Sequence, residues 1–155
     1  MGFNIDKASV GVRMGQAVAY RARELANRAK RGERVAVLCL DPERFSVYRG
    51  ASSFHDDFIV VSGRDEIGLI QKHQKRAVLS MPEYVAGLQF DAVLLMDANA
   101  MLIPQLGSGL SGLQRFVSSV NLGASRAKRR LEIYADASAG GFAQPIRGAV
   151  DKGLV

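Results

Sequence analysis

Five short apolar runs constrain this chain more than any other feature. They read "RVAVLCL" (34–40), "DFIVVSG" (57–63), "RAVLSM" (76–81), "FDAVLLMD" (90–97) and "LEIYA" (131–135). Several are continuous rather than alternating, and they are rich in valine and leucine. Continuous apolar strands are buried on both faces, which is the signature of a parallel sheet covered by helices. Parallel neighbours cannot be joined by a tight hairpin and need crossover connections. The order of elements therefore predicts an α/β domain with a mostly parallel sheet of five or more strands, flanked by helices. A length of 155 residues suits one domain with one core.

The stretches between the runs have helical character. From about Gly15 to Arg31, Val18, Ala22, Leu25, Ala26 and Ala29 recur at helical spacing with Arg and Lys between them, and Gly32 is a natural stop. "DPERFSVYR" opens with Asp-Pro, a good cap and first-turn pair, and predicts a short helix. "RDEIGLIQKHQ" predicts another, weakened by Gly68. "ANAMLIPQLGSGLSG" reads as a looser segment. From Ser111 a long helix is expected, with Ser111 and Gln114 matching a capping box and Leu113, Phe116, Val117, Val120 and Ala124 as its apolar stripe. "RAKRR" closes it, setting cations against the negative end of the helix dipole. The tail, 136–155, reads as a glycine-rich turn closing with a short helix.

Composition narrows the class. No apolar run approaches the roughly 18 residues of a membrane span, so no membrane partner is expected. The amino-terminal "MGFNIDKASV" lacks the basic-then-apolar order of a signal peptide. Cys39 is the sole cysteine and sits inside an apolar run, so it reads as a small buried side chain. A reducing, cytoplasmic setting is expected. The net charge of +6, with basic residues clustered in "YRARELANRAKRGER" and "SRAKRR", favours polyanions, nucleic acid and nucleotides included.

In open parallel sheets ligands sit beyond the carboxyl ends of the strands. That rule places Ser80 to Gly87, and Asp97 with its following loop, near any crevice. Yet no phosphate loop is present: neither G-x-x-x-x-G-K-[ST] nor a strand-following G-x-G-x-x-G occurs. "GSGLSG" (107–112) follows a loop and lacks lysine, so a flexible linker is expected there. Asp97 could hold a metal ion at a strand tip, but without a phosphate loop it reads as a loop-capping aspartate. His55 and His73 have no ligand-like spacing to a partner, and no metal site is expected. Arg126 stands between a predicted helix and a strand. It could reach a phosphate with its planar fork or simply face solvent.

Two segments resemble UvrD/Rep-type superfamily 1 helicases. "PEYVAGLQFDAVLL" resembles the segment that in that family reads like "AKGLEFDAV", and its Pro-x-Tyr is most similar to the HelD-like branch. Further on, "NLGASRAKRRLEIY" resembles the family's "YVALTRAKRRLYI". Order, spacing and the strand after each motif agree, over roughly Arg34 to Tyr134. In the family both motifs belong to the second of two RecA-like domains. The resemblance thus implies a three-layer RecA-like fold over 1–155, with the phosphate loop and magnesium-binding acids on a separate first domain in cis or trans.

The resemblance also implies roles. Arg126 would contact the ATP γ-phosphate as an arginine finger. Gln89 takes the place of an acidic residue that contacts the nucleotide sugar, and Gly87 would permit close backbone approach. Ser80, Pro82 and Tyr84 would lie where the family touches single-stranded DNA. ATP with magnesium would be the substrate of the complete motor, and none would be held tightly by this domain alone. The isolated chain is expected to hydrolyse no ATP.

The chain also departs from the family. The lysine before the glycine is missing, "SMPEY" replaces an upstream threonine and histidine, Asn121 stands near the usual tyrosine, and Ser125 replaces threonine. Arg13 and Arg49 both qualify as the family's early arginine. Two further readings stay open. One is a non-catalytic helicase-like module that binds nucleic acid or protein. The other is a small enzyme of flavodoxin-like topology.

Overall fold

The computed structural model describes the backbone of residues 2–7 and 14–20 and all atoms of 21–50, 57–73, 75–135 and 140. The elements run β1 (Gly2–Lys7), α1 (Met14–Lys30), β2 (Val35–Cys39), α2 (Pro42–Gly50), β3 (Phe58–Val60), α3 (Gly68–Lys72), β4 (Ala77–Ser80), β5 (Phe90–Met96), α4 (Ile103–Leu106), α5 (Leu110–Ala124) and β6 (Ala127–Ala135). Among the described residues the strands form one six-stranded sheet in the order β1-β6-β5-β2-β4-β3. Every pairing is parallel. Each of the five apolar runs contains a strand.

Two cores explain why those runs are continuous. Alternate residues point to opposite faces of a strand. Ala36, Leu38, Val78, Val93, Leu95, Leu131 and Ile133 project to one face, where Ile70 of α3 and Phe116 of α5 join them. Val35, Val37, Cys39, Leu79, Leu94 and Met96 project to the other. There they meet Ala22, Leu25, Ala26 and Ala29 of α1 and Phe45 of α2. The result is three layers, helix on sheet on helix.

Several expectations are corrected. "GFNIDK" forms β1, an edge strand that pairs with β6 from Gly2↔Arg130 to Lys7↔Ala135; it is absent from the five runs because Phe3 and Ile5 are its only large apolar residues and they alternate with polar ones. "ANAMLIPQLGSGLSG" is more ordered than a loose linker. It holds a 3-10 turn at Ala100–Leu102, the short helix α4 and the start of α5. The capping box does not form. Helix α5 opens from Gly109, whose φ of 58° suits glycine, and the Ser111 hydroxyl donates instead to the Ser108 carbonyl at 2.7 Å. "RAKRR" does not end that helix: α5 stops at Ala124 and the cations pass into β6.

The strand order also excludes flavodoxin-like topology. That fold sets its first strand between its second and third. Here β4 is inserted between β2 and β3. Arg13, His55 and all but Gly140 of the tail 136–155 lie outside the described residues.

Candidate functional site

The segment between β4 and β5 divides the candidate residues between two edges of the sheet. Because β4 and β5 both run parallel to β2, the chain must travel from the carboxyl edge back to the amino edge within residues 81–89. Ser80, Pro82 and Tyr84 therefore belong to the carboxyl edge. Gly87 and Gln89, just before Phe90 opens β5, belong to the amino edge. The expectation that Gly87 borders the carboxyl-end crevice is corrected accordingly.

At the amino edge Arg126 joins them. It lies between α5 and β6, and its carbonyl accepts the Phe90 amide at 2.7 Å. This bond continues the β5–β6 ladder and fixes the two turns against each other. The Arg126 side chain then crosses the junction, donating from Nη1 to the Leu88 carbonyl at 3.1 Å. Nε reaches the Leu122 carbonyl at 3.3 Å and Nη2 reaches Ser125 Oγ at 3.1 Å. A guanidinium carries five N–H donors, so these three bonds leave two. Gly87 and Gln89 are exposed and Arg126 is half-buried. Gly87 has a φ of 91°, and a Cβ at this position would meet nothing within 4 Å, so the backbone angle rather than crowding requires glycine there.

The carboxyl-edge candidates are placed differently. Ser80 is fully buried and its hydroxyl donates to the Val61 carbonyl at 2.7 Å. Pro82 is buried in a 3-10 turn, Pro82–Val85. Tyr84 is half-buried, with its ring 6.3 Å from that of Phe45.

The same edge holds a cluster that sequence reading undervalued. Asp97 follows β5 with a φ of 63° and no exposed surface. Its carboxylate accepts from Cys39 Sγ at 3.2 Å, Arg44 Nη1 at 3.1 Å and the Tyr48 hydroxyl at 3.1 Å. Asp97 is thus an internal hub that clasps β5 to β2 and α2, rather than a loop cap. Asp41 does cap α2 as expected, accepting the Glu43 amide at 3.0 Å. Burial pushes the Asp97 carboxyl above its ordinary value, and the bonds from Cys39, Arg44 and Tyr48 offset this only in part. Burial, and then the Asp97 charge, raise both the Cys39 thiol and the Tyr48 phenol. These groups stay protonated and act as donors. The signal available in sequence was Asp97 and Cys39 each at or beside the end of an apolar run, but nothing in the spacing announces that the two strands are neighbours.

Arg49 is exposed in the last turn of α2. His73 is exposed near the amino edge. Among the described residues no three His, Cys, Asp or Glu side chains converge as metal ligands, and no helix is long and apolar enough to cross a membrane.

Comparison with known proteins gives a likeness in fold. No family model and no curated protein matches the chain. Among solved structures, the chain superposes on the C-terminal domain of a possible DNA helicase from Lactobacillus plantarum WCFS1. The TM-score is 0.57 at 16% sequence identity, over 91% of this chain and 76% of that one. At that identity the likeness establishes the fold: an α/β domain built like a helicase C-terminal domain.

Proposed function

We propose that this chain is the second RecA-like motor domain of an ATP-dependent DNA helicase or translocase of the UvrD/Rep type, with the HelD-like form of its Pro-x-Tyr segment. The observation that carries the reading is the Arg126–Leu88 contact. It brings "SRAK" and "GLQF", the two segments that resemble helicase motifs, into one half-exposed patch at one sheet edge. The shared fold with a helicase C-terminal domain supports it.

In this reading the patch is one wall of a nucleotide cleft. A partner RecA-like domain, in cis or trans, supplies the phosphate loop and the magnesium-binding acids. Arg126 keeps two N–H donors for the γ-phosphate of ATP, and its fixed charge stabilises the transferring phosphoryl group. Gln89 offers the nucleotide sugar a hydrogen bond without a charge. Gly87 holds a backbone turn that other residues strain to adopt. Single-stranded DNA would cross the carboxyl edge. There Ser80 and Pro82 act as the frame, because both are buried, and the half-buried Tyr84 offers the part of its side chain that stays uncovered.

Three departures favour the second reading, a helicase-like module that binds nucleic acid or protein without turnover: the absent motif lysine, the uncharged Gln89, and an Arg126 already bonded three times within the fold. Reconstitution decides between them. The chain is mixed with a phosphate-loop domain encoded beside it, and ATP hydrolysis is measured with and without single-stranded DNA. DNA-stimulated turnover that disappears in Arg126→Ala supports the motor. Absence of stimulation supports the module. Turnover by the pure chain alone, abolished by Arg126→Ala, would contradict the shared site.

A further inference from the structure

A pocket of about 460 Å³ opens at the amino edge of the sheet, beside the ends of β2, β4 and β5. Its rim carries Arg34, His73, Lys75 and Arg76, with the Gln71 amide. Beneath these side chains lie Val35, Ile70, Val78 and Phe90, which are themselves almost wholly covered. Among the described residues no carboxylate lines it. Asp91, next along β5, is turned to another task and accepts the Arg34 backbone amide at 2.9 Å. Arg34 also holds its guanidinium 5.8 Å from the centre of the Phe90 ring, which sets a flat cation at the mouth.

We propose that this pocket binds a mononucleotide-sized anion, with its phosphate on the Lys75–Arg76 side and its flat ring stacked on the Arg34 guanidinium. The volume falls in the range of small-ligand sites, roughly 300–1,000 Å³. A planar guanidinium on one side and further cations on the other match a ligand with one flat part and one multiply charged part. Cations that merely solvate a surface need no concavity, and a nucleic-acid backbone follows an extended groove. Guanidinium planes stack on bases, and the fork of an arginine suits phosphate oxygens. The site does not depend on Arg126. Phe90 separates the two: its buried side chain lies beneath the pocket while its amide bonds the Arg126 carbonyl on the other side.

The test is calorimetric titration of the whole chain with AMP and, separately, with inorganic phosphate. AMP binding is expected, and inorganic phosphate should bind at least about tenfold more weakly because it leaves the Arg34 stacking surface unused. Lys75→Ala combined with Arg34→Ala should weaken AMP binding by about tenfold or more, the effect of losing a charge-assisted contact. Gln71→Trp, which blocks the exposed rim without removing a charge, should abolish binding while far-ultraviolet circular dichroism stays unchanged. Arg126→Ala should leave it within about twofold. The proposal is overturned by no heat with millimolar AMP, by AMP binding that survives Gln71→Trp, by phosphate binding as tightly as AMP, or by loss in Arg126→Ala, which would move the ligand to the other site.

Discussion

The Arg126 guanidinium donates to the Leu88 carbonyl at 3.1 Å, across the junction between the turn before β6 and the turn before β5. This side chain is half-buried and its other bonds are local, to Leu122 and Ser125. Removing it should therefore cost little stability, about 1 kcal/mol, the net weight of an ordinary hydrogen bond. Urea unfolding of Arg126→Ala checks this. A near-normal midpoint alongside lost activity in the reconstituted motor would mark a functional arginine. Arg126→Lys should also fail in the motor, because an ammonium cannot keep Leu88 and a phosphate in the same planar fork. A loss of several kcal/mol on unfolding would instead make Arg126 a structural strut.

The contrast between Arg126 and Asp97 shows what sequence can carry. Arg126 was legible because it sits in a run of residue types and spacings that resembles a known motif, and its position at a helix-to-strand turn followed from local pattern. The strands were legible because burial on both faces leaves continuous apolar runs. Asp97 was misread because its partners come from another strand and helix, Cys39, Arg44 and Tyr48. Strand order decides that encounter, and strand order is not written in local periodicity. Strand β1 was missed for a related reason: "GFNIDK" has no apolar run, and its place is fixed by pairing with β6. The pocket above Phe90 gathers residues from Gly32 to Phe90, and no single segment reveals it.

The Asp97 cluster predicts a specific order of damage. Asp97→Ala removes the shared acceptor of the Arg44, Tyr48 and Cys39 donors, an acceptor that has no exposed surface. The expected cost is about 3 kcal/mol, the low end for breaking a buried ion pair. The low end applies because the Arg44 side chain keeps 32% of its surface exposed. Asp97→Asn should cost clearly less, since asparagine keeps the shape, one acceptor oxygen and tolerance of the positive φ. Denaturant melts of both variants check the order, and Asn as damaging as Ala would refute the hub.

The same carboxylate sets a pH dependence. Burial raises Asp97 above its ordinary value near 3.8. The folded protein therefore holds a proton at pH values where the unfolded chain has already released it. Its contribution to stability grows as pH falls through the native value, levels off below about 4, and is lost again as pH rises. The unfolding free energy of the wild type minus that of Asp97→Asn should rise from pH 7 toward pH 4. A flat or falling difference would mean that the three donors, not burial, dominate the carboxylate.

Helix α1 is pinned to the sheet by a second buried charge. Arg21 Nε donates to both Glu132 oxygens at 2.9 and 3.0 Å, Nη2 adds a bond at 2.6 Å, and Nη1 holds Glu24 at 2.6 Å. Glu132 is only 3% exposed, so its charge depends on this partner. Arg21→Met alone should cost about 3 kcal/mol or more, because it strands the buried Glu132 charge, and Glu132→Leu should cost less, because Arg21 keeps Glu24 and reaches solvent. The double variant should recover most of that loss, since apolar groups of similar volume restore the contact without desolvated charge. A double-mutant cycle by urea unfolding measures the coupling, and additive losses would refute the pairing.

Gly123 sets how close helix α5 lies to the sheet. A Cβ there would come 2.5 Å from Leu95 Cδ2 and 3.4 Å from Pro82 Cγ. Leu95 is fully buried, so its side chain must shift within a packed core. Two effects of Gly123→Ala oppose each other. Alanine favours the helix by about 1 kcal/mol over glycine, while overpacking a tight core costs about 1–3 kcal/mol. A contact this short with a fully buried neighbour puts the overpacking term near its upper end, so a net loss of about 1–2 kcal/mol is expected. Because Pro82 precedes the turn that returns to Gly87 and Gln89, the displacement should also disturb the amino-edge patch. Urea unfolding should show the lost stability, and amide chemical shifts of 87–89 should move. A variant more stable than the wild type would show that α5 has slack against β5.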